Sequence, residues 1–241
     1  MKKLILILLL SSGLIGCSAI DYSELSSPVS PSDTQIERII SLGLSHSDSL
    51  LEANKLMDPS LVAKVVKELE DRKVKADEAQ IEEEIVAEYA EKIIILENNS
   101  KFIGPEINER RTVGLLIDSD YEDYYLKGQK DFNNNLITHQ LYLSLRYTSD
   151  KLRGYTTANF CDKWQDCSIG KQINVSSISS DAGNCGASNC EYREIFELEF
   201  TDEVLKSYMN DGLSFVITSK RNSNKITIPS NYIKGYLRVS K

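Results

Sequence analysis

The spacing of apolar residues changes once along the chain, and this change constrains the fold more than any other feature. Within residues 61–69, apolar side chains recur every three or four positions, which is the period of an amphipathic α-helix. Within residues 140–147 they alternate with polar ones, as in a β-strand with one buried face. The sequence therefore predicts an α+β protein, in which an N-terminal helical segment precedes a mainly antiparallel, sandwich-like β domain.

The predicted helical segment covers residues 33–100. Helix starts are indicated by two capping-box spacings and one Asp-Pro pair, at Ser32 with Gln35, Ser49 with Glu52, and Asp58-Pro59. A stripe of large side chains predicts a further long helix and consists of Ile81, Ile85, Tyr89, Ile93 and Leu96. Isolated helices of this length are marginal in water, so we expect these apolar faces to pack within the chain.

The predicted β domain covers residues 101–241. Its strand patterns are at residues 112–118, 140–147, 155–160, 172–178 and 192–200, and at a hairpin formed by 213–219 and 226–228. Thr201 has the character of an N-cap for a short helix that ends at Gly212. Several short strands separated by turns are typical of an antiparallel sandwich or barrel.

Four cysteines lie in the β domain, and their even number predicts two disulfides. A metal site is disfavoured because their spacings are wider than Cys-x-x-Cys. Three pairings are possible. Local pairing, Cys161 with Cys167 and Cys185 with Cys190, is favoured because each pair brackets a short polar loop. We expect neither a metal nor a cofactor.

The first residues of the chain have the three parts of a secretory signal peptide. A lysine pair and an aliphatic run over residues 4–10 are followed by small residues over 11–16 and then by Cys17. The aliphatic run is much shorter than the roughly 20 residues that cross a bilayer. We therefore predict a signal peptide over residues 1–16.

The stretch Leu14-Ile15-Gly16-Cys17 resembles the lipobox of bacterial lipoproteins, which signal peptidase II cleaves. The resemblance implies cleavage before Cys17, a diacylglycerol on its thiol and an acyl chain on its amine. It also implies a membrane as binding partner, because each buried methylene contributes about 0.8 kcal/mol. Among such lipoproteins, an Asp after the cysteine favours the inner membrane. Ser18 stands there, so the outer membrane is favoured.

Residues 17–32 are rich in serine and contain Pro28 and Pro31, which predicts a lipidated flexible tether. The formal net charge of the chain is -8. Residues 18–100 hold 18 acidic and 8 basic side chains, whereas residues 101–241 hold 18 of each. A basic face for a phosphate backbone is not indicated, which argues against nucleic acid as a partner.

The β domain carries a series of residues that is similar to uncharacterised envelope proteins of proteobacteria over residues 111–237. The series is His139-Gln140-Leu141-Tyr142, Arg153, Tyr155, Cys185, Cys190 and Glu194-x-Phe196. This resemblance implies a place in the cell envelope. It implies no catalytic residue and no activity.

Residues with possible catalytic chemistry are few. Nucleophilic catalysis usually needs a histidine, and the sequence has only His46, in a polar turn, and His139, at a strand end. A satisfied strand-end histidine is favoured for His139. Carboxylates that could serve a hydrolase or a cation cluster at Asp118, Asp120, Glu122 and Asp123. A solvated acidic turn is the favoured interpretation of this cluster.

Aromatic residues in polar surroundings are the candidate binding residues: Trp164, Tyr121, Tyr124 and Tyr125. Exposed tyrosine and tryptophan suit a protein or glycan surface, although cross-strand packing is the favoured use of the tyrosines. The preferred hypothesis is a membrane-anchored envelope lipoprotein with a structural or interaction role and an envelope protein as partner. The alternatives are a periplasm-facing hydrolase and a glycan-binding or ligand-binding module.

Overall fold

A computed structural model of the protein describes residues 30–98, 100–113, 116–133, 136–162, 166–167 and 170–240, and only the backbone of residues 110–113, 116–119 and 121. The contacts divide the chain into two compact units, with the boundary between Lys75 and Ala76. Within these described ranges, no helix has both the length and the apolar character that crossing a membrane requires. The predicted signal peptide, Cys17 and most of the predicted tether lie outside them.

The first unit is helical. It contains α1 (Pro31–Ser41), α2 (His46–Ala53) and the first part of α3 (Pro59–Glu91). Its core consists of Ile36, Ile39, Ala53, Val65 and Leu69. The prediction that the apolar helix faces pack within the chain is therefore confirmed for these residues, whereas Ile81 and Ile85 of the predicted stripe are 57% and 36% exposed. Since α1 begins at Pro31, the last two residues of the predicted tether belong to a helix.

The helix starts agree only partly with the capping patterns. The Asp58-Pro59 start is confirmed, because Asp58 Oδ1 accepts a hydrogen bond from the Ser60 N–H at 2.9 Å. The other two predicted starts are wrong, since the N-caps are Ser30 and Ser45. Each of these serines accepts a hydrogen bond from the N–H three residues later, at 3.2 Å, as an N-cap does.

Helix α3 is longer than either helix predicted for this region, and it ends earlier than the apolar stripe suggests. It is a single helix of 33 residues. Residues 94–96, predicted as the end of a helix, instead form a strand. Three consecutive β-branched residues at 93–95 favour an extended backbone, which explains why the helix stops before them.

The second unit contains eleven strands and the helices α4 (Asp202–Ser207) and α5 (Ser230–Val239) within the described residues. In chain order, β1 to β11 are Ile94–Leu96, Lys101–Ile103, Ile107–Val113, Leu116–Asp131, Leu136–Ser149, Thr157–Phe160, Gln172–Ile173, Val175–Cys185, Cys190–Thr201, Leu213–Thr218 and Ser223–Ile228. The strand predicted over residues 112–118 is wrong, since β3 ends and β4 begins within it. The predicted hairpin is confirmed as β10 and β11.

The strands form two antiparallel sheets. The larger has the order β1-β2-β4-β5-β9-β8, with β3 also paired to β4, and the smaller has the order β11-β10-β6-β7. One apolar core joins them. Across it, the rings of Tyr155 and Phe196 lie 6.1 Å apart, and those of Phe160 and Phe200 lie 5.9 Å apart. The predicted α+β class, with a sandwich-like antiparallel domain, is thus confirmed.

Both disulfides join local partners, as predicted. Cys161 is bonded to Cys167, and Cys185 is bonded to Cys190. The second bond closes the turn between β8 and β9, where the two cysteines are also cross-strand neighbours. Each bond therefore pins one short loop of the β domain.

Helix α5 fills a break in the larger sheet. Strands β2 and β3 both pair with β4, but neither pairs with Leu126. The N–H of Leu126 instead donates a hydrogen bond to the Tyr232 hydroxyl oxygen at 2.9 Å. The same hydroxyl donates to the carbonyl of Pro105 at 3.0 Å. A buried N–H without a partner is costly. Tyr232 therefore allows β4 to change its neighbour from β2 to β3 at this point.

Gly235 lets α5 approach α3 closely. An added Cβ at Gly235 would lie 2.6 Å from Tyr89 Cβ and 2.8 Å from the Val86 carbonyl oxygen. The carbonyl belongs to the helix backbone and cannot rotate away. The packing of α5 on α3 therefore requires glycine at this position.

We expect Gly235→Ala to lower the free energy of unfolding by about 1–3 kcal/mol, the usual cost of overpacking. Gly183→Ala is the matched control, because its added methyl would meet its nearest neighbour, the Glu191 carbonyl, at 3.6 Å. Urea denaturation of both variants measures the difference. Equal stability of the two variants would contradict a close helix contact.

Candidate functional site

Of the predicted binding aromatics, Tyr124 is not on the surface. Its side chain is fully buried, and its hydroxyl donates to Glu109 Oε1 at 3.1 Å and lies 3.2 Å from the Thr227 carbonyl. Tyr124 alternates with Tyr125 and takes the inner face of β4, which agrees with packing as the favoured use of the tyrosines. Trp164 and the side chain of Tyr121 lie outside the described residues.

Tyr125 takes part in a stacked aromatic pair on the outer face of the larger sheet. It lies directly opposite Tyr142 of β5, with ring centroids 4.8 Å apart and an angle of 20° between the planes. Both side chains are half-buried. Alternation with Leu141 and Leu143 puts Tyr142 on the polar side of its strand, but its contact with Tyr125 follows only from the register of β4 against β5.

Charged and polar groups surround the tyrosine pair. Lys127 is paired with Glu197, and Arg193 Nε donates to Ser144 Oγ at 3.0 Å. Arg146 lies 3.0 Å from the Asp123 carboxylate, at one end of this region. Together with Tyr125 and Tyr142, these residues form what we call the outer face: Asp123, Lys127, Ser144, Arg146, Arg193 and Glu197.

The outer face has a buried floor, since Asp123 and Ser144 are 1% and 0% exposed, whereas its other side chains are half-buried or exposed. Burial raises the pKa of Asp123, and the positive charge of Arg146 opposes that shift. Aromatic rings offer large apolar planes, while guanidinium, ammonium and carboxylate groups form directional hydrogen bonds. Such a combination suits a ligand with both apolar faces and hydroxyl groups.

The acidic cluster predicted as a solvated turn is part of strand β4, so that interpretation is wrong. Asp120, Glu122 and Asp123 are all buried. In a strand, alternate residues point to opposite faces, so Asp123 projects away from Asp120 and Glu122. These three carboxylates therefore do not converge on one site, and the side chain of Asp118 lies outside the described residues.

Asp120 is held by Arg153. The two form a forked ion pair, with Nη1 2.5 Å from Oδ2 and Nη2 3.1 Å from Oδ1. The Arg153 guanidinium also lies over the ring of Tyr147, 4.1 Å from its centroid. A paired carboxylate in this geometry stabilises the fold and is poorly suited to act as a nucleophile or base.

Glu194 closes the same end of the sandwich. One of its oxygens accepts hydrogen bonds from the Tyr147 hydroxyl and from the Gly154 N–H, the latter at 3.1 Å. The other accepts from the Tyr155 N–H at 3.3 Å. Burial and the Glu194 carboxylate raise the pKa of Tyr147. Arg153, Tyr155 and Glu194 were noted in the sequence, but their shared network was not predicted.

His139 lines a cleft of about 820 Å³. Its Nδ1 lies 3.1 Å from the Tyr236 hydroxyl, and its Nε2 lies 3.2 Å from Asp202 Oδ1. Asp202 is also bonded to Lys206 at 2.5 Å. Both ring nitrogens are thus engaged, which agrees with the favoured interpretation of a satisfied histidine. Gly128 makes room for the pair, since a Cβ there would lie 2.3 Å from the Tyr236 oxygen.

Burial of the imidazole lowers the pKa of His139, and the Asp202 carboxylate opposes that shift. The other histidine, His46, is the first residue of α2. Within the described ranges, no group of three or more His, Cys, Asp or Glu side chains could hold a metal ion.

Comparison of the chain with protein-family models, curated proteins and solved structures finds no match. Its function has to be argued from its own residues and their arrangement.

The buried His139 predicts a pH dependence of stability. Its pKa is lowered in the folded state, whereas the unfolded chain titrates at about pH 6.5. Below that pH, the unfolded state binds a proton that the folded state does not, so the free energy of unfolding falls as the pH drops. The loss of stability caused by His139 should therefore occur as the pH falls from about 6.5 to the lower folded-state pKa.

Urea denaturation between about pH 8 and about pH 5 checks this expectation. In His139→Gln, the histidine contribution to the pH slope should vanish. The variant should also be less stable at high pH by about 1–3 kcal/mol, because it leaves a buried polar partner unpaired. The control is His46→Gln, which removes the other histidine of the sequence. The account is contradicted if His139→Gln and the wild type lose stability in parallel.

Proposed function

We propose that the protein is a lipid-anchored protein of a bacterial cell envelope that acts by binding rather than by catalysis. The observation that carries this proposal is the state of the cysteines. Four of the five cysteines in the sequence form two disulfides in the β domain. Disulfides persist in oxidising compartments such as the periplasm. The fifth cysteine, Cys17, stands where a lipobox would be acylated.

The order of segments supports the same proposal. The signal-like residues 1–16 precede Cys17, and α1 begins at Pro31. The 13 residues from 17 to 29 could span about 45 Å when extended. The folded part is thereby free to stand away from the lipid surface. Ser18 in place of Asp favours the outer membrane.

Binding is preferred to catalysis because the best catalytic candidates have structural tasks. His139 is bonded through both nitrogens, and Asp120 is held by Arg153. The described carboxylates of the hydrolase alternative do not converge either, since Asp123 projects away from Asp120 and Glu122. The outer face, in contrast, joins an aromatic stack to polar groups on one side of a sheet.

A second candidate function is glycan binding at the outer face. The Tyr125–Tyr142 pair favours it, since aromatic planes pack against the apolar faces of sugar rings. The neighbouring Lys127, Arg193 and Glu197 are half-buried and supply groups that can bond to sugar hydroxyls. A cell-wall glycan is the ligand that an envelope protein would meet.

Lipidation is tested in bacterial cells that express the full chain. We expect labelled palmitate to enter the wild-type protein and the control Ser18→Ala, because an acylated cysteine holds the chain on the membrane. Cys17→Ala should remain unlabelled and should appear in the soluble fraction after an alkaline carbonate wash. A Cys17→Ala protein that stays in the membrane fraction as firmly as the wild type would refute the anchor.

Glycan binding is tested by sedimentation with isolated peptidoglycan. Tyr142→Ala should lower the affinity at least about tenfold, because it removes half of the aromatic stack. The control is Phe132→Ala, which removes an aromatic side chain that is 64% exposed and lies outside the outer face. Equal binding by both variants, or no sedimentation of the wild type, would remove this candidate function.

A further inference from the structure

Strand β1 is an apolar strand at the edge of the larger sheet. It is the first strand in the sheet order, and among the described residues it pairs with β2 alone. Its three residues, Ile94, Ile95 and Leu96, are 56%, 46% and 43% exposed. An edge strand presents unpaired N–H and C=O groups, and an apolar one also exposes side chains that favour burial. Strand β1 is therefore suited to receive another strand.

The opposite edge of the same sheet differs in kind. Strand β8 is rich in serine, and its pairing with β9 is interrupted by register shifts after Ser177 and after Ala182. Bulges and polar side chains are devices that protect an edge from pairing. In contrast, β1 has no register shift, proline or charge. Because β1 has only three residues, it can form few hydrogen bonds to another strand.

We propose that β1 pairs antiparallel with β1 of a second copy of the chain, about a two-fold axis at Ile95. Opposite residues in an antiparallel pair project to the same face. A two-fold axis perpendicular to the sheet must therefore pass between the two copies of one residue. Centring the axis on Ile95 pairs all three residues: Ile95 lies opposite its own copy, and Ile94 lies opposite Leu96 of the partner subunit.

Both faces of this pairing are apolar. Ile95 lies opposite Phe102, which is only 2% exposed and belongs to the core, so Ile95 is on the core side of the sheet. Pairing there would extend the core across the axis. Ile94 and Leu96 lie on the other face, where each would cover the other's exposed surface.

The charges that flank β1 favour the antiparallel direction. Lys92 precedes the strand and Glu97 follows it. In the antiparallel register centred on Ile95, Glu97 lies opposite Ile93 of the partner subunit, one position from Lys92 of that subunit, whereas parallel pairing would bring like charges together. Their present partners, Glu88 and Lys101, form exposed ion pairs, which contribute little and can be exchanged.

A pairing of three residues per copy is small for a protein interface, so we expect a weak dimer in dilute solution. This expectation changes on a membrane, and that step rests on the proposed lipid anchor. Copies held on one surface have a high effective concentration, which lets a weak contact persist. The pairing itself does not depend on the anchor.

Cysteine cross-linking tests both the pairing and its register. Opposite residues have Cα atoms about 4.5–5.5 Å apart, within the range that a disulfide spans. In full-length protein expressed with its signal, Ile95→Cys should give a band of twice the chain mass in non-reducing gels. Ile178→Cys is the matched control, because Ile178 is 49% exposed and lies on β8. It should give no band above the wild-type level.

A second variant guards against misfolding of the first. Ile94→Cys and Leu96→Cys should each cross-link weakly alone, and their co-expression should give a strong dimer band, because they face each other across the axis. The proposal is overturned if Ile95→Cys stays monomeric while the wild-type disulfides form. It is also overturned if the band contains a different protein, since β1 would then bind another partner.

The anchor and the pairing can fail separately. Purified Cys17→Ala, Ile95→Cys protein at high concentration should still form the disulfide dimer, whether or not the wild-type chain incorporates palmitate. A chain that is labelled with palmitate but does not cross-link keeps the anchor and rejects the pairing. A chain that cross-links but is not labelled with palmitate keeps the pairing and rejects the anchor.

Discussion

The β domain depends on two tyrosine hydroxyls that its last helix buries. Tyr232 and Tyr236 lie one turn apart on α5, and both are almost completely inaccessible. A buried hydroxyl without a partner would cost about 1–3 kcal/mol. Tyr232 bonds to the backbone of β4 and to Pro105, and Tyr236 bonds to His139. The final residues of the chain thus join strands that lie about a hundred residues earlier in the sequence.

Much of the polar chemistry of the protein serves this architecture. Asp120 and Arg153 neutralise each other, and Glu194 accepts three hydrogen bonds at the same end of the sandwich. Buried charges that lack such partners are strongly destabilising. Residues that would suggest catalysis in a sequence are therefore committed to stability. We propose that recognition takes place at the outer face and at the β1 edge.

The parts of this fold that follow from local rules could be predicted from the sequence. Alternation identified the class and the β10–β11 hairpin, and short loops between cysteines indicated the local disulfides. The N-caps Asp58 and Thr201 could also be recognised from the sequence. The side chain of each accepts a hydrogen bond from a backbone N–H two or three residues later, which has no partner within the helix. These features depend only on residues near each other in the chain.

The burial of the acidic cluster and the stacking of the tyrosine pair depend on distant partners. Residues 118–123 look like a solvated turn because they are acidic, yet Asp120 is buried by virtue of Arg153, 33 positions away. Nor could the sequence show that Tyr142 would stack on Tyr125, because that contact requires the register of β4 against β5. Long-range pairing decides which of these residues form a surface.

We propose that an exported, disulfide-pinned domain is held at a membrane by acyl chains on Cys17. Intact-mass and peptide mass spectrometry of protein purified from membranes tests it most directly. The account predicts an N-terminal peptide that begins at Cys17 and carries a diacylglycerol and an amide-linked acyl chain, with the four later cysteines oxidised. A peptide that begins elsewhere, or an unmodified Cys17, would contradict it.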